Sequence, residues 1–352
     1  MKKLMTIAAI VMVILATGSV SFLYPQGAPK KPKIVTLEDT IKNAKQNNKD
    51  IVVVFSGTGL NELCDKINKE VFNTDKWKKD SPKKYIYLSV DCAKSDSVSP
   101  EQKEYNESLK NEFWVNQFPI VFLLDNTGTP YARTGYVPDA NDPKKYLDYL
   151  ATLINRKRER DDLLKKARTT AKPDDKMPKY ESFINKLAEW GLGFSYRDVK
   201  DEIIAVKSNE NDTLKGQCAV DLYWYYFGKK NEEKSKRYLD QLKDFDEGKW
   251  NDIQVRLKLD EIAKKYIEPK DWNGAVPELK KLFEYRPDGA PLQLLHWYLA
   301  VAYSELGDRA KTKSNLENAL RAAPNGELAE RIKQSLEEIK KSSPPEEPLP
   351  GK

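Results

Sequence analysis

The stretch Ile51-Val-Val-Val-Phe-Ser-Gly-Thr-Gly-Leu-Asn-Glu-Leu-Cys64 decides the fold of this chain. Its first five residues are all apolar, which is typical of a strand buried on both faces of a parallel sheet. A short loop follows, and Asn61 belongs to the residue types preferred at the N-cap of a helix. The stretch therefore predicts a buried strand that leads through a loop into a helix, with Cys64 in the first turn of that helix.

Helix and strand patterns alternate on both sides of this stretch. Apolar residues at helical spacing predict helices, and short apolar runs predict strands. Pro119 opens one of these strands, a position at which proline removes no interior hydrogen bond of the sheet. In chain order, the predicted elements are a helix at 35–47, the strand at 51–55, a helix ending near Phe72, a strand at 85–90, a helix at 101–113, a strand from Pro119, a return strand at 131–134 and a closing helix at 144–154.

This order resembles that of the thioredoxin family, in the variant that reads roughly F-S-G-S-x-W-C-x-x-C. On that pattern, Asn61 replaces the first cysteine, Leu60 replaces the tryptophan, and Cys64 remains as the second cysteine. The segment Phe118-Pro119-Ile120 matches the family's cis-proline segment, which faces the active loop and presents a backbone edge to an incoming peptide. The resemblance covers residues 34–156 and implies an α/β thioredoxin-like domain.

The asparagine at position 61 changes the expected chemistry. Thiol–disulfide exchange begins with attack by a thiolate, and an amide cannot supply one. The resemblance therefore implies that the fold is kept while the two-cysteine reaction is lost. A one-thiol reaction through Cys64 stays open, with Cys92 as a possible partner or disulfide mate, because Cys92 ends the strand expected beside the first one. Cys218, the third cysteine, is expected in a helical core.

The N-terminus predicts export. Met1-Lys2-Lys3 is followed by an apolar run from Leu4 to Ala16 and then by small residues, which is the pattern of a secretory signal peptide at residues 1–24, with a spacer at 25–33. The alternative is an uncleaved inner-membrane anchor, because weakly apolar residues continue to Leu23. We expect a periplasmic or secreted protein, in contact with a membrane only if the segment is uncleaved.

Composition excludes several classes of function. The 352 residues predict two or three domains, and the net charge of +6, from 60 basic and 54 acidic residues, is mild. No basic cluster with interleaved aromatics is present, so a nucleic-acid partner is not expected. His296 is the only histidine, which argues against a metal centre, and no glycine-rich phosphate loop or other cofactor motif occurs. Three cysteines make no disulfide scaffold.

The second half of the chain is rich in helix formers. A charged helix is predicted at 156–167, a linker at 169–177 and two helical stretches within 180–208, so that 157–215 forms a helical connector. Residues 294–324 then resemble a tetratricopeptide repeat, and fainter copies precede them near 262–287 and from 216. In the last copy, the residues that fall at the repeat's characteristic positions are Leu299, Ala300, Tyr303, Gly307-Asp308, Leu316, Ala319 and Pro324. We predict all-α tetratricopeptide-like repeats at 216–341 and a disordered, proline-rich tail at 342–352.

Stacked helix pairs leave a concave face that such repeats use to bind peptides or proteins. We therefore expect a protein or peptide partner at the repeats, with Tyr223, Trp224, Trp272 and Trp297 as candidate contacts. The sequence favours a non-catalytic binding or scaffold protein of the cell envelope. Two alternatives stay open: a one-cysteine thiol–disulfide oxidoreductase acting through Cys64, and a chaperone-like binder of extended chains along the Pro119 edge.

Overall fold

The computed structural model describes residues 34–93, 98–208 and 212–341. The predicted signal peptide, spacer and C-terminal tail lie outside these residues. The first part of the chain contains, in order, α1 (Leu37–Asn47), β1 (Asp50–Ser56), α2 (Glu62–Ile67), α3 (Asp75–Lys84), β2 (Tyr85–Asp91), α4 (Pro100–Glu112), β3 (Ile120–Leu124), β4 (Pro130–Thr134) and α5 (Pro143–Thr152). A π-helical turn at Asn68–Phe72 extends α2, and a 3₁₀ turn at Pro138–Ala140 precedes α5.

The four strands form one mixed sheet in the order β2-β1-β3-β4. β1 is parallel to β2 and antiparallel to β3, and β3 is antiparallel to β4. Phe55 stands opposite Val90 on one side and Ile120 on the other. The five apolar residues of β1 are at most 1% exposed, because both faces of the sheet are covered. β1 is therefore the central buried strand that its sequence predicts.

The sequence analysis missed α3. Its ten residues include five lysines, two aspartates and an internal proline, so they carry little apolar periodicity. The helix forms because the hydroxyl of Thr74 caps it, accepting from the N–H of Trp77 at 3.2 Å, and because Trp77 is almost completely buried. The Trp77 ring packs edge-on against Phe72 and Tyr87 in the core on one face of the sheet. One buried aromatic side chain thus anchors a helix whose other residues, apart from Pro82, are polar.

The second part is helical throughout its described residues. It contains, in order, α6 (Ile154–Thr169), α7 (Pro173–Glu189), α8 (Arg197–Ile204), α9 (Asp212–Gly228), α10 (Glu232–Phe245), α11 (Glu247–Ile262), α12 (Trp272–Lys281), α13 (Gly289–Glu305), α14 (Arg309–Ala322) and α15 (Ala329–Lys341). Within the described residues, no helix combines the length and apolar character needed to cross a bilayer.

The linker predicted at 169–177 is largely helix instead. α7 begins at Pro173, a residue whose missing N–H costs nothing at the first position of a helix. Met177, predicted to end the linker, is fully buried in the core. The prediction was wrong here because the polar run before Met177 masks a helix whose apolar residues, Met177, Tyr180, Phe183 and Leu187, all face inward.

The sheet and the following helices share one hydrophobic core. Phe55 and Phe122 on one face of the sheet belong to the same cluster of buried side chains as Phe183 of α7 and Leu222 of α9. The ring of Phe194, between α7 and α8, stands 5.8 Å from the ring of Phe122. The unit at 34–156 therefore packs directly against the helices that follow it.

Consecutive helices pair at the positions of the predicted repeats. α10, α12 and α14 each begin at a polar side chain that accepts a hydrogen bond from a backbone N–H three residues on, at 3.0 Å in all three cases: Asn231, Asp271 and Asp308. The turn before α14 needs Gly307, whose φ of 75° is left-handed. The assignment of these helix pairs to the tetratricopeptide family stays a prediction.

Candidate functional site

Asn61 caps helix α2 at the position where the resemblance places the first cysteine. Its Oδ1 accepts a hydrogen bond from the N–H of Cys64 at 2.9 Å. The preceding loop is also held, because the N–H of Gly59 donates to Asp65 Oδ1 at 2.9 Å. An N-cap side chain satisfies one of the free N–H groups at a helix start and typically contributes about 1 kcal/mol. The residue at this position therefore stabilises the helix and offers no nucleophile.

The same asparagine reaches across to the proline segment. Its Nδ2 donates to the carbonyl oxygen of Phe118 at 3.0 Å, and the peptide bond between Phe118 and Pro119 is cis. Pro119 and Ile120 are buried, whereas Phe118 is partly exposed. Gly135 lies so close that a Cβ there would stand 2.7 Å from the Pro119 carbonyl oxygen, which explains the glycine at the bend. The resemblance assigns this edge to peptide binding. The Phe118 carbonyl on that edge already accepts a hydrogen bond from within the chain.

Cys64 is completely buried, although its neighbours Leu60 and Leu63 are partly or half exposed. It occupies the third position of α2, where the positive end of the helix dipole favours an anion. A thiolate must nonetheless approach the sulfur of its target directly, and a sulfur with no exposed surface cannot do so without movement of the loop. Leu63, 45% exposed, presents an apolar surface beside it.

Cys92 lies at the sheet edge that the sequence predicts. Its backbone N–H donates to the carbonyl of Ser56 at the end of β1, at 2.8 Å. Burial raises the pKa of the Cys92 thiol to about 12, Lys110 opposes this shift, and nearby groups that include Cys64 add to it. Cys64, Cys92 and Cys218 are all free thiols. Cys92 is therefore a neighbour of Cys64 that stays protonated at neutral pH.

Cys218 is a core residue of α9, with 1% of its surface exposed, and burial raises its thiol pKa to about 12. His296 Nδ1 and Asn315 Oδ1 form a hydrogen bond of 3.0 Å, and the His296 ring packs against Phe283. In the part of the chain that the structure describes, no group of three His, Cys, Asp or Glu side chains could hold a metal ion.

A buried ion pair joins the sheet to the helices, and no residue pattern indicated it. Arg160 Nη2 stands 2.8 Å from Asp125 Oδ2, and both side chains are more than 90% buried. Burial opposes ionisation of Asp125, but the Thr127 hydroxyl and Arg160 together hold its pKa below the usual range. Arg160 also donates to the carbonyl of Thr129 at 3.3 Å. The pair fixes the turn between β3 and β4 against α6.

The four aromatic candidates for partner contact separate into core and surface. Tyr223 is 2% exposed, so its interpretation as a partner contact is corrected: it is a core residue. Trp272 is partly buried against the core between α11, α12 and α13. Trp224 lines a cleft of about 450 Å³ between α9 and the end of α4, and Trp297 lines one of about 390 Å³ between α13, α14 and α15.

The sequence analysis did not single out Trp114, which lines the same cleft as Trp224. Trp114 is 49% exposed and has a left-handed φ of 50°. The available signal was its position directly after a predicted helix, where glycine would be usual.

Comparison with known proteins bears on the fold class of the first part of the chain. The sequence profile of the family described as Thioredoxin-like domain matches residues 37–151. The disulfide bond reductase DsbH of Chlamydia pneumoniae is 25% identical over 100 residues, which are 28% of this chain and 60% of DsbH. The thioredoxin-related protein DsbJ of the same organism is 26% identical over 98 residues, 28% of each chain.

A solved structure titled DsbH Oxidoreductase is 20% identical and aligns with a TM-score of 0.32, covering 40% of this chain and 95% of that one. The family match and the four-stranded mixed sheet confirm the predicted fold class, a thioredoxin-like domain followed by an all-helical region. The match to the two curated relatives spans only 60% and 28% of their lengths.

Proposed function

We propose that this chain is an exported protein-binding or scaffold protein whose thioredoxin-like domain no longer performs thiol–disulfide exchange. One observation carries the proposal. At the position where the resemblance places the attacking cysteine, Asn61 caps α2 and donates to the Phe118 carbonyl. An amide held by two hydrogen bonds has no role in exchange, because exchange requires a thiolate nucleophile.

The remaining thiols support this proposal. Cys64 has no exposed surface, and the raised pKa of Cys92, about 12, leaves roughly one thiolate in 10⁵ at neutral pH. A reactive cysteine is usually exposed and has a lowered pKa; Cys64 lacks the exposure, and the pKa of Cys92 is raised.

The binding role is supported by the helical region. Its paired helices carry partly exposed aromatic side chains, Trp224 and Trp297, that line clefts at the surface. A preformed surface lowers the entropy cost of binding on the protein side. Export is supported by the pattern of residues 1–24, which lie outside the described residues.

A second candidate function is a one-cysteine thiol–disulfide oxidoreductase, favoured by the name of the relative DsbH and by the closeness of Cys64 and Cys92. In that reaction, the Cys64 thiolate attacks a substrate disulfide and one substrate sulfur leaves as a thiolate. The Cys92 thiolate then displaces the second substrate thiol, and an external dithiol must reduce the resulting Cys64–Cys92 disulfide. A chaperone-like role along the Pro119 edge has less support, because the Phe118 carbonyl is already bonded to Asn61.

Capture of partners by the full chain tests the proposal. Wild-type protein and a Cys64→Ser, Cys92→Ser variant are immobilised and exposed to an envelope extract, each with and without dithiothreitol. We expect the same proteins, bound saturably, in all four samples. Capture that requires Cys64 or is abolished by dithiothreitol would show a covalent thiol mechanism, and the absence of saturable capture would contradict the binding role.

A further inference from the structure

The second half of α15 packs loosely on the helix pair of α13 and α14. Ile332 is buried against that pair, whereas Leu336 and Ile339 are only partly buried. A cleft of about 390 Å³ lies between the three helices, and its apolar walls are Trp297, Ala300, Val301, Leu316 and Ile339. The described residues of α15 thus leave part of the apolar surface of the preceding pair uncovered.

A second hollow, of about 240 Å³, continues this cleft toward the start of α14. The two adjoin, because Ser304, Thr312 and Ile339 line both of them. Arg309 lines the second hollow, and its Nη2 donates to the backbone carbonyl of Ile339. Together the hollows form one terminal cleft. It opens beside Ile339, close to the end of α15 and therefore to the point at which residues 342–352 begin.

The terminal cleft favours an apolar ligand over a charged one. Among the described residues that line it, the charged ones are Glu338 and Arg309, one of each sign. The Arg331 guanidinium lies 5.0 Å from the centre of the Trp297 ring, a cation–π contact that holds this ring in the wall. A ligand therefore gains affinity here mainly by covering apolar side chains.

The C-terminal tail, Ser-Ser-Pro-Pro-Glu-Glu-Pro-Leu-Pro-Gly-Lys at 342–352, has apolar groups and enough length for this cleft. Its leucine, Leu349, and its four prolines cannot form a core of their own, but they can bury surface against a preformed one. At about 3.1 Å per residue, an extended segment from Ser342 to Leu349 spans about 25 Å. This equals about the full length of the 17-residue helix α13. Leu349 can therefore reach any part of the cleft.

We infer that the C-terminal tail binds in the terminal cleft of its own chain, with Leu349 against Trp297 and Val301. The tether decides the occupancy. A ligand on a short flexible linker has an effective concentration of about 1 mM, so a Kd of only about 100 µM fills the cleft about nine-tenths of the time. The inference goes beyond the proposed function, because it gives this cleft an occupant from within the chain that any partner must displace.

Fluorescence anisotropy of a labelled peptide with the full chain tests the inference. The peptide has the sequence of residues 342–352, and Leu349→Ser in the protein releases the protein's own tail. We expect saturable binding to this variant and about tenfold weaker binding to wild type, in which the tail competes. The matched control Glu347→Gln keeps Leu349 and should bind the peptide as weakly as wild type.

Val301→Asp locates the site. Val301 is partly buried in the wall of the cleft, and aspartate would place a charge where Leu349 binds. Added to Leu349→Ser, it should weaken peptide binding at least tenfold. The control Leu306→Asp changes an apolar residue at the end of α13 that is 40% exposed outside the cleft, and it should leave the affinity within twofold. Equal far-UV circular dichroism shows that both variants are folded.

The indole N–H resonance of Trp297 reports on the tail without any change to the cleft. It is assigned by its loss in Trp297→Phe. We expect this resonance to shift between wild type and Leu349→Ser, because the tail covers the ring in wild type. The resonance of Trp77, buried in the core beside the sheet, should stay in place.

Several results would overturn the inference. They are equal peptide affinity of wild type and Leu349→Ser, no binding to either, full affinity in the folded Val301→Asp variant, or an unchanged Trp297 resonance. A Trp297 shift that appears only as the protein concentration is raised would also overturn it, because the tail of a second copy would then fill the cleft.

Discussion

The side chain of Asn61 and the backbone of Phe118 are joined by a hydrogen bond of 3.0 Å, from Nδ2 to the carbonyl oxygen. The same side chain accepts from the N–H of Cys64 at 2.9 Å. One amide therefore ties the start of α2 to the cis-proline segment. A cysteine at this position would provide chemistry, whereas the asparagine provides a cap and a cross-link between two loops.

Asn61→Ala should destabilise the protein by about 1–2 kcal/mol, because it removes both the N-cap and the bond to Phe118. Asn61→Ser is the matched control, since serine keeps a capping oxygen and loses only the bond to Phe118. It should lie between wild type and alanine. Urea unfolding measures both free energies, and equal stability of all three proteins would contradict the structural role of Asn61.

Asn61→Cys should create measurable reduction of insulin disulfides. The introduced thiolate would attack the substrate disulfide, and Cys64 would then displace the bound substrate sulfur, which restores the two-thiol reaction. Activity should stay below that of a thioredoxin, because Leu60 replaces the family's tryptophan and Cys64 is buried. The control Asn61→Cys, Cys64→Ser should lose turnover. Equal turnover in the two variants would show that Cys64 takes no part.

Alkylation of Cys92 in the native chain should be slow below about pH 10 and rise about tenfold per pH unit toward pH 12, because burial raises its thiol pKa to about 12. The denatured chain, with a thiol pKa near its usual value, should react quickly at pH 9. Mass mapping of iodoacetamide adducts measures both rates. Rapid labelling of the native chain at pH 7 would reveal an exposed thiolate at Cys92.

The raised pKa of the Cys92 thiol also makes the stability of the fold depend on pH. A thiol whose folded pKa is raised stabilises the fold fully below its unfolded pKa of 9.0, and this contribution is lost as pH rises toward 12. Cys92→Ala should therefore flatten the decline in unfolding free energy between pH 9 and 12. An unchanged slope would show that Cys92 titrates normally in the folded chain.

Arg160→Met should cost about 3–5 kcal/mol, because it leaves the buried Asp125 carboxylate without its ionic partner. Arg160→Met with Asp125→Asn should recover part of this loss. The exposed pair of Lys340 and Glu337 is the control, and Lys340→Met should leave the free energy of unfolding nearly unchanged. Unfolding by urea measures each value. A loss below about 1 kcal/mol in Arg160→Met would show that the pair does not hold the helices to the sheet.

Acid should weaken the ion pair of Arg160 and Asp125 and so lower the free energy of unfolding. The pKa of Asp125 is held below 3.8, so its contribution is present above that value and is lost as pH falls through the lower, folded pKa. Asp125→Asn should reduce the decline in unfolding free energy below pH 4.

Local patterns predicted the strand β1 and the start of α2 well, because β1 is apolar without interruption and Asn61 is a usual N-cap residue. They could not show that Phe55 and Leu222 share one core, because an apolar periodicity indicates that a face is buried and not which element covers it. α3 escaped notice because Trp77 is its one large apolar anchor. Trp114 escaped notice because no residue pattern indicates that its backbone is left-handed.

The rate of insulin disulfide reduction by the wild-type chain, with dithiothreitol as electron donor, tests the central claim most directly. A two-thiol enzyme turns over many substrate disulfides per molecule, and a capped helix start with a buried Cys64 turns over none. We predict a rate equal to that without protein and unchanged by Cys64→Ser. A rate clearly above that background, abolished by Cys64→Ser, would show that the chain is an oxidoreductase and would contradict the account.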